Sequence, residues 1–180
     1  METIALFGGS FDPPHIGHEA VVREALKLKD IDKVVIMPTF LNPFKSSFWA
    51  PATLRLKWLK EIFNTFKDVE ISSYEVDLKR KVPTVDSVKY LLKRYKKVYL
   101  IIGADNLKSL EKWYKYDELK TLVTFVVASR DEIEVPDNYL KLKVEEDISS
   151  TKLREDIDIN KISNICSDEI TKFYKEKNER

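Results

Sequence analysis

Apolar positions along this chain follow two spacings in turn. Short runs of consecutive apolar residues, typical of buried strands, occur at residues 4–7, 34–37, 69–72, 98–102 and 125–128. Between most of these runs the apolar residues recur every three or four positions, as on one face of a helix. Strands that alternate with helices predict a parallel sheet joined by right-handed crossovers. We therefore expect an α/β fold, a Rossmann-like three-layer sandwich with a central, mainly parallel sheet, in which residues 1–180 form a single domain.

Helices are predicted where the apolar residues take the helical spacing. Their first residues lie at or near Glu19, Pro51, Thr84, Leu107, Asp117, Ser149 and Ser167. The first is expected to span residues 19–28, and the fourth residues 107–113. Thr84 and Ser167 are predicted to be N-caps, because their hydroxyls can accept hydrogen bonds from first-turn amides. Residues 139–144 alternate like an edge strand.

The first strand is followed by a loop rich in glycine, proline and histidine. Its sequence is Gly8-Gly9-Ser10-Phe11-Asp12-Pro13-Pro14-His15-Ile16-Gly17-His18. Glycines let the backbone approach a ligand closely, and the following helix presents amide N–H groups at its N-terminus. Both histidines of the protein lie in this loop. The combination predicts an anion site with two imidazoles facing one pocket.

This loop matches neither of two common phosphate-binding motifs. It lacks the GxxxxGK[ST] pattern of a P-loop and the GxGxxG pattern of a dinucleotide-binding fold. The spacing of His15 and His18 also suits a metal site, although no carboxylate or third histidine lies at ligand spacing. A purely structural role is a further alternative. Phosphate binding accounts for the glycines, the prolines and the helix start together, so we favour it.

Polar residues also follow later strands. Asn42-Pro43-Phe44-Lys45 comes after the second strand, Gly103-Ala104-Asp105-Asn106 after the fourth, and Ser129-Arg130 after the fifth. Ligands of open parallel sheets bind beyond the carboxyl ends of the strands. These segments are therefore expected to line one edge of the sheet together with the first loop.

The composition favours a small ligand over a macromolecular surface. The 180 residues are 43% hydrophobic, enough for an ordinary core, and include 31 basic and 30 acidic side chains. This near balance gives no reason to expect a nucleic acid or a membrane as partner. A single cysteine, Cys166, predicts a reducing compartment, and no apolar run approaches the ~20 residues of a membrane span. Without a signal-peptide pattern, the protein is expected to be cytoplasmic.

Two segments resemble motifs of a known enzyme superfamily. The loop from Gly8 to His18 resembles the signature loop of the HxGH nucleotidyltransferases, and Ile148-Ser149-Ser150-Thr151-Lys152-Leu153-Arg154 resembles their ISSTxxR motif. Between them, residues 83–87 and 101–107 and the pair Trp113-Tyr114 are similar to segments of the bacterial nicotinate-nucleotide adenylyltransferases. The resemblance covers nearly the whole chain.

The resemblance implies a reaction of NAD biosynthesis. The AMP moiety of ATP would be transferred to nicotinate mononucleotide, giving nicotinate adenine dinucleotide (deamido-NAD) and pyrophosphate. The attacking phosphate is already anionic near neutral pH, so the reaction needs in-line positioning and charge neutralisation rather than a strong base. Mg²⁺ would accompany ATP and be held by phosphates and water, without a metal site on the protein.

The resemblance also assigns roles to residues. The expected catalytic residues are His15, His18, Lys45 and Arg154, with His18 donating to the α-phosphate and the others on the triphosphate. The expected ATP-binding residues are Gly8, Gly9, Ser10, Phe11, His15, His18, Asp105, Ser149, Ser150, Thr151 and Arg154. The expected mononucleotide-binding residues are Ser10, Phe11, Lys45, Thr84, Asp105, Trp113 and Tyr114.

Recognition of the pyridine nucleotide is expected from three places. Asp105 would bind a ribose hydroxyl, and Trp113 would stack on the pyridine ring, because an aromatic face suits a flat, polarised ring. Thr84 and the backbone of Tyr114 would meet the nicotinate carboxylate. Arg130 is expected near the adenylate side.

Other functions stay open on the sequence alone. The acceptor could instead be nicotinamide mononucleotide or phosphopantetheine. Where the family often has Pro-Pro-His-Lys, this chain has Phe44 in place of the histidine, which also admits a catalytically silent nucleotide-binding protein. A fragment of a tRNA synthetase, suggested by His-Ile-Gly-His, would lack room for an anticodon-binding domain. The sequence leaves a homo-oligomer open.

Overall fold

The computed structural model describes residues 1–129, 133–146 and 148–180. Within these ranges one sheet is built from β1 (Thr3–Gly9), β2 (Lys33–Pro38), β3 (Val69–Ile71), β4 (Lys97–Gly103), β5 (Val123–Ser129) and β6 (Leu140–Lys143). The strand order is β3-β2-β1-β4-β5-β6, and each of these neighbouring pairs is parallel. The expected α/β fold is confirmed, including the edge strand β6.

Helices connect the strands and cover both faces of the sheet. They are α1 (Ile16–Ala25), α2 (Ala52–Ile62), α3 (Tyr74–Leu78), α4 (Thr84–Leu92), α5 (Tyr116–Leu122), α6 (Ser150–Glu155) and α7 (Ser167–Asn178). Single 3-10 turns lie at Ala104–Lys108, Leu110–Lys112 and Ile159–Lys161. Among the described helices, none combines the length and the apolar character needed to cross a membrane.

Two clusters of buried apolar residues hold these helices on the sheet. Successive residues of a strand point to opposite faces, so Ala5 of β1 joins one cluster while Ile4 joins the other. The cluster around Ala5 includes Trp58 of α2 and Tyr174 of α7. The cluster around Ile4 includes residues of α4 and α5, among them Val85, Val88, Leu91 and Leu119. The result is the expected three-layer arrangement.

β1 is the strand at which the order along the sheet changes direction. Its Phe7 lies in register with Ile36 of β2 on one side and Ile101 of β4 on the other. The chain moves outward from β1 to β3 and then returns to β4. The loops after β1 and β4 therefore leave in different directions, and a crevice opens beyond their carboxyl ends.

Some predicted helix ends are wrong. α1 begins three residues before Glu19, and the N-cap of α4 is Pro83 rather than Thr84, which is the first helical residue. Pro83 has φ −62° and ψ 144°, the extended backbone of an N-cap, and its ring fixes that φ. Cys166 likewise stands at the N-cap of α7, one residue before the predicted Ser167.

The predicted helix at residues 107–113 is replaced by two 3-10 turns, Ala104–Lys108 and Leu110–Lys112, that end before Trp113. Two short elements were not predicted, α3 and the 3-10 turn Ile159–Lys161. Each has five residues or fewer, which is too short to show a helical repeat of apolar positions.

Candidate active site

The two histidines cap α1 through a reciprocal pair of hydrogen bonds. His15 is the N-cap, and its Nδ1 accepts from the Gly17 amide at 3.1 Å. Nδ1 of His18 accepts from the His15 amide at 3.1 Å, and the two rings stack with centroids 3.7 Å apart. A neutral ring that accepts at Nδ1 carries its proton on Nε2. The backbone therefore orients both imidazoles and selects the tautomer with an Nε2–H donor.

Gly17 is required by the position of the His15 ring. A Cβ at this position would lie 2.8 Å from Cε1 and 2.9 Å from Nδ1 of His15, closer than side chains tolerate. The middle glycine of His-Ile-Gly-His thus leaves room for the imidazole that caps the helix.

The ring of Phe11 packs against the imidazole of His18. Its ring is 3% exposed and packs edge-on against His18 and Phe7, with centroids 4.8 Å and 5.2 Å away. Phe11 has φ 49°, in the left-handed region that a bulky side chain rarely adopts. This strained backbone is held by burial of the ring, as is common beside functional groups.

Asp12 joins the first loop to two distant parts of the chain. Its buried carboxylate accepts from the amides of Trp49 at 2.8 Å and Ala50 at 3.0 Å, and also from the hydroxyl of Tyr174. Burial and the nearby Asp12 carboxylate raise the pKa of Tyr174, so its hydroxyl stays protonated and donates. The segment before α2 and the helix α7 are therefore both fixed to the loop.

Arg55 joins the first loop to the segment that follows β2 and to the segment that precedes α2. It is 1% exposed although charged, and it projects from the buried face of α2. Its guanidinium donates hydrogen bonds to the carbonyls of Ala50, Ser10, Thr39 and Phe40. Burial lowers the pKa of Arg55, and Asp12 opposes that shift.

Helix α6 places its N-terminus against the first loop. Ser149 is its N-cap and accepts from the Lys152 amide at 3.5 Å, and the helix begins next to the predicted start at Ser149. Ser150 Oγ donates to the carbonyl of Pro13 at 3.0 Å. The segment that resembles ISSTxxR is thus docked on the loop that resembles the HxGH signature.

Two cationic side chains reach the same loop. Arg154 donates through Nη1 to the Asp12 carbonyl at 2.7 Å and through Nη2 to Thr151 Oγ1 at 3.2 Å. Lys45 donates to Ser10 Oγ at 3.4 Å. Partial burial and the positive charge of Arg154 lower the pKa of Lys45, so the lysine and the arginine lie close enough to repel one another. An anion bound between them would relieve that repulsion.

Two adjoining cavities open beyond the carboxyl ends of the described strands. The larger, of 450 Å³, has Trp113, Thr84, Tyr114 and Phe44 in its wall, with backbone of Gly8 and Gly9 at its base. The smaller, of 240 Å³, is lined by both histidines and by Gly17, Ser129, Ser149 and Ser150. Phe7 and Gly103 belong to both walls, so the cavities meet at the ends of β1 and β4.

The polar segments predicted for one edge of the sheet do gather there. Asn42 to Phe44 and Asn106 line the larger cavity, and Ser129 lines the smaller. Asp105 is exposed. Its Oδ1 lies next to Gly103 at the junction, 2.5 Å from the position that a Cβ on Gly103 would take. Arg130 lies outside the described residues.

The residues described offer no group of three or more His, Cys, Asp or Glu side chains that could hold a metal ion. Asp12, the acid in the first loop, already accepts from two amides and a hydroxyl. The acids Glu75 and Glu146 line the cavities separately, one in each, while the groups around the first loop are donors: imidazole N–H, ammonium, guanidinium and helix amides. These donors suit a phosphate chain, whose own oxygens can hold Mg²⁺.

Sequence reasoning missed three residues of this region. Arg55 carried a usable signal, because it falls on the apolar face of α2 between Ala52 and Trp58, where an arginine needs buried partners. Asp12 lies within the loop motif, but the sequence carries no signal of its connection to α7. Glu75, a buried acid in the wall of the larger cavity, lies in α3, which the sequence did not predict.

Comparison with known families and proteins gives one consistent result. Residues 6–156 match the model of the cytidylyltransferase-like family. A "Probable nicotinate-nucleotide adenylyltransferase" of Sulfurimonas denitrificans is 63% identical over 176 residues, covering 98% of this chain and 97% of the relative. A protein of the same description from Campylobacter fetus is 51% identical, covering 98% of this chain and 99% of its own.

Solved structures share the fold at much lower sequence identity. Plasmodium falciparum nicotinic acid mononucleotide adenylyltransferase complexed with NaAD superposes with a TM-score of 0.79 at 20% identity, covering 97% of this chain and 98% of that one. A nicotinate-nucleotide adenylyltransferase structure from Vibrio parahaemolyticus gives a TM-score of 0.73 at 22% identity, covering 95% and 99%. The Rossmann-like architecture is common to all three.

Proposed function

The chain belongs to the cytidylyltransferase-like family and, within it, to the nicotinate-nucleotide adenylyltransferases, and we propose that each of its two cavities binds one of the two substrates. It transfers the AMP moiety of ATP to nicotinate mononucleotide, giving nicotinate adenine dinucleotide and pyrophosphate. The assignment of one substrate to each cavity rests on one observation. The two cavities meet at Phe7 and Gly103, with the histidine pair on one side and Trp113 on the other. Two nucleotides bound side by side would bring their phosphates together at this junction.

The larger cavity would hold the mononucleotide. Trp113 offers a partly buried aromatic face for the pyridine ring, and Thr84 and Tyr114 border the same space. The glycine backbone at its base allows close approach of the 5′-phosphate. Phe44 also faces this cavity from the loop after β2, where it adds apolar area and no donor.

The smaller cavity would hold the adenosine side of ATP. The Nε2–H groups of His15 and His18 and the N-terminus of α6 are donors for the phosphate chain. Lys45 and Arg154 would neutralise the charge on the triphosphate as pyrophosphate departs. His18 would stabilise the α-phosphate in the transition state, where preorganised donors have their largest effect.

Each donor in this arrangement is positioned before substrate arrives. The tautomer of each imidazole is set by a backbone amide, and Arg154 is held by the Asp12 carbonyl. The nucleophile, a phosphate oxygen of the mononucleotide, needs no deprotonation near neutral pH. The protein therefore acts by alignment and charge stabilisation rather than by covalent or general-base catalysis.

Mg²⁺ would bind with ATP. The donors at the site fit a magnesium–nucleotide complex, since they bind phosphate oxygens and leave the cation to phosphate and water. When bound, the ion would neutralise part of the triphosphate charge.

The experiment that tests this function compares three acceptors. Purified protein is incubated with ATP and Mg²⁺ and with nicotinate mononucleotide, nicotinamide mononucleotide or phosphopantetheine, and the product and pyrophosphate are quantified. We expect the highest kcat/KM with a pyridine mononucleotide and formation of nicotinate adenine dinucleotide. A preference for phosphopantetheine, or ATP binding without turnover, would contradict the proposal. A parallel tRNA-charging assay is expected to give no product.

Two further properties belong to the same proposal. We expect the enzyme in the cytoplasm, where its substrates and a reducing environment for Cys166 occur, and cell fractionation would check this. Light scattering on the purified protein would distinguish a monomer from the homo-oligomer that the sequence leaves open.

A further inference from the structure

Glu75 is a buried acid in the wall of the larger cavity. The residue is 5% exposed, and its Oε1 accepts a 2.6 Å hydrogen bond from Ser87 Oγ. Its other oxygen, Oε2, is buried and has no hydrogen-bond partner among the residues described. Leaving a buried polar atom without a partner is unfavourable. Glu75 belongs to the wall of the cavity, so a ligand that reaches its carboxyl group would supply the partner that Oε2 lacks.

Glu75 shares a cavity wall with the residues that are expected to bind the pyridine ring. Its partner Ser87 is three residues after Thr84 in α4, so the two occupy neighbouring positions on one helix face. Thr84, Ser87, Glu75 and Trp113 all line the same cavity. A pyridine ring stacked on Trp113 would therefore lie in the same cavity as Glu75.

No charged side chain in the described part of the chain accounts for the state of this acid. Burial raises the pKa of Glu75 to about 7, and the hydrogen bond from Ser87 opposes the shift. Charged groups on the elements packed around α3 are engaged elsewhere: Arg55 of α2 with loop carbonyls, Lys33 of β2 with Glu2 and Glu70, Lys57 of α2 with Glu61 and Glu169, and Lys89 of α4 with Glu118. Titratable side chains that share the described cavity wall with Glu75 are Lys112 and Tyr114.

On the basis of the proposed function, we propose that Glu75 is a specificity-determining residue that discriminates the acid from the amide at the pyridine ring through Oε2. When protonated, Oε2 donates a hydrogen bond to the carboxylate of nicotinate mononucleotide. When ionised, Glu75 repels that carboxylate and instead accepts a hydrogen bond from the amide N–H of nicotinamide mononucleotide. The preference between the two acceptors then depends on pH.

The test is the ratio of kcat/KM for nicotinate mononucleotide to kcat/KM for nicotinamide mononucleotide, measured across pH. Both acceptors carry the same 5′-phosphate, so its own titration near pH ~6 cancels in the ratio. We expect the ratio to fall about tenfold or more between about pH 6 and about pH 8.5, because the acid form of Glu75 is lost over that range. The change is expected in KM rather than in kcat, since Glu75 is not placed at the phosphates.

Three variants separate a specificity role from a structural one. Glu75→Gln keeps the size and a donor but cannot ionise, so its ratio is expected to stay flat with pH, near the wild-type value at low pH. Ser87→Ala removes the hydrogen bond that lowers the pKa of Glu75 and is expected to shift the fall to higher pH. Asp77→Asn changes an exposed acid on the same helix and is expected to leave the wild-type profile unchanged.

The outcomes distinguish this inference from the function it rests on. A wild-type protein that makes no nicotinate adenine dinucleotide at any pH would overturn the proposed function. A wild-type protein that makes it with a ratio independent of pH would overturn the role of Glu75 alone. Should Glu75→Gln fail to fold, the wild-type profile and its displacement in Ser87→Ala still decide the matter.

Discussion

His18 combines a structural and a chemical role in one imidazole, and these can be separated by substitution. Its Nδ1 caps the backbone of His15, while Nε2–H is the proposed donor to the α-phosphate. We predict that His18→Ala lowers kcat at least about 100-fold, the range for loss of a preorganised transition-state donor. ATP binding, measured by calorimetry, is expected to weaken much less.

The matched control for His18 is His18→Asn. The Asn carbonyl oxygen can take the place of Nδ1 and keep the cap, but the side chain carries nothing at the position of Nε2. We expect this variant to unfold like the wild type while losing as much kcat as the alanine variant. If His18→Asn kept full turnover, His18 would be a cap only.

Gly17 allows a second prediction about the same pair. In Gly17→Ala the new methyl group would displace the His15 ring and break its bond to the Gly17 amide. We expect kcat to fall about 10- to 100-fold, as for small misplacements of catalytic groups. Glu24→Ala is the control in the same assay, because Glu24 is a partly exposed residue of α1 that pairs with Lys27 and not with the histidines. Alanine is otherwise the better helix former, so a more stable Gly17→Ala with unchanged kcat would contradict the steric argument.

Residue types at the site were largely predictable, whereas their connections were not. The motif segments identified His15 and His18 because histidine, glycine and a helix start occurred together. They could not show that Asp12 accepts from Tyr174, since 162 positions separate the two along the chain. Glu75 gave no signal at all, because its acid character is ordinary in sequence and becomes unusual only through burial.

At the level of elements, strands were predicted better than helix ends. Buried parallel strands consist of uninterrupted apolar residues, so β1, β2, β4 and β5 were visible in the sequence. Helix starts depend on which residue takes the cap geometry, and at α4 a proline does so before the threonine that looked suitable. The start of α6 was predicted within one residue, and there the N-cap is Ser149, whose hydroxyl accepts from a first-turn amide.

Helix α7 supports the first loop without lining either of the two cavities. Tyr174 donates from this helix to Asp12, so Tyr174→Phe removes one partner of a buried carboxylate. We predict a loss of about 1–3 kcal/mol in the free energy of unfolding, measured with urea. Tyr90→Phe is the control, because it removes a hydroxyl from a ring that is 37% exposed and keeps the stack with Tyr74. Equal effects of both substitutions would show that the link to Asp12 contributes nothing.

At the scale of the whole molecule, the sheet explains why residues far apart in sequence act together. The change of direction at β1 opens the crevice, and the loops after β1, β2 and β4 and the last residues of β5 all reach it. The C-terminal part of the chain then closes the arrangement, since α6 binds the carbonyls of the first loop and α7 binds Asp12. The fold thus fixes the phosphate side from several directions, while the pyridine side is bordered by α3, α4 and the 3-10 turns.

The free energy of unfolding should also depend on the protonation of Glu75, the buried acid in the wall of the larger cavity. Because burial raises the pKa of Glu75 to about 7, the folded state holds a proton that the unfolded state releases at its ordinary pKa of 4.5. The contribution of this residue to stability is therefore complete below the unfolded pKa and is lost as pH rises through the folded one.

The side chain in Glu75→Gln does not titrate. We predict that the free energy of unfolding of this variant matches that of the wild type near pH ~4.5 and exceeds it above pH ~7, by about 3 kcal/mol at most. Urea unfolding of both proteins at the two pH values measures the difference, with Asp77→Asn as the control. A difference that is the same at both pH values would mean that Glu75 does not change its protonation on folding.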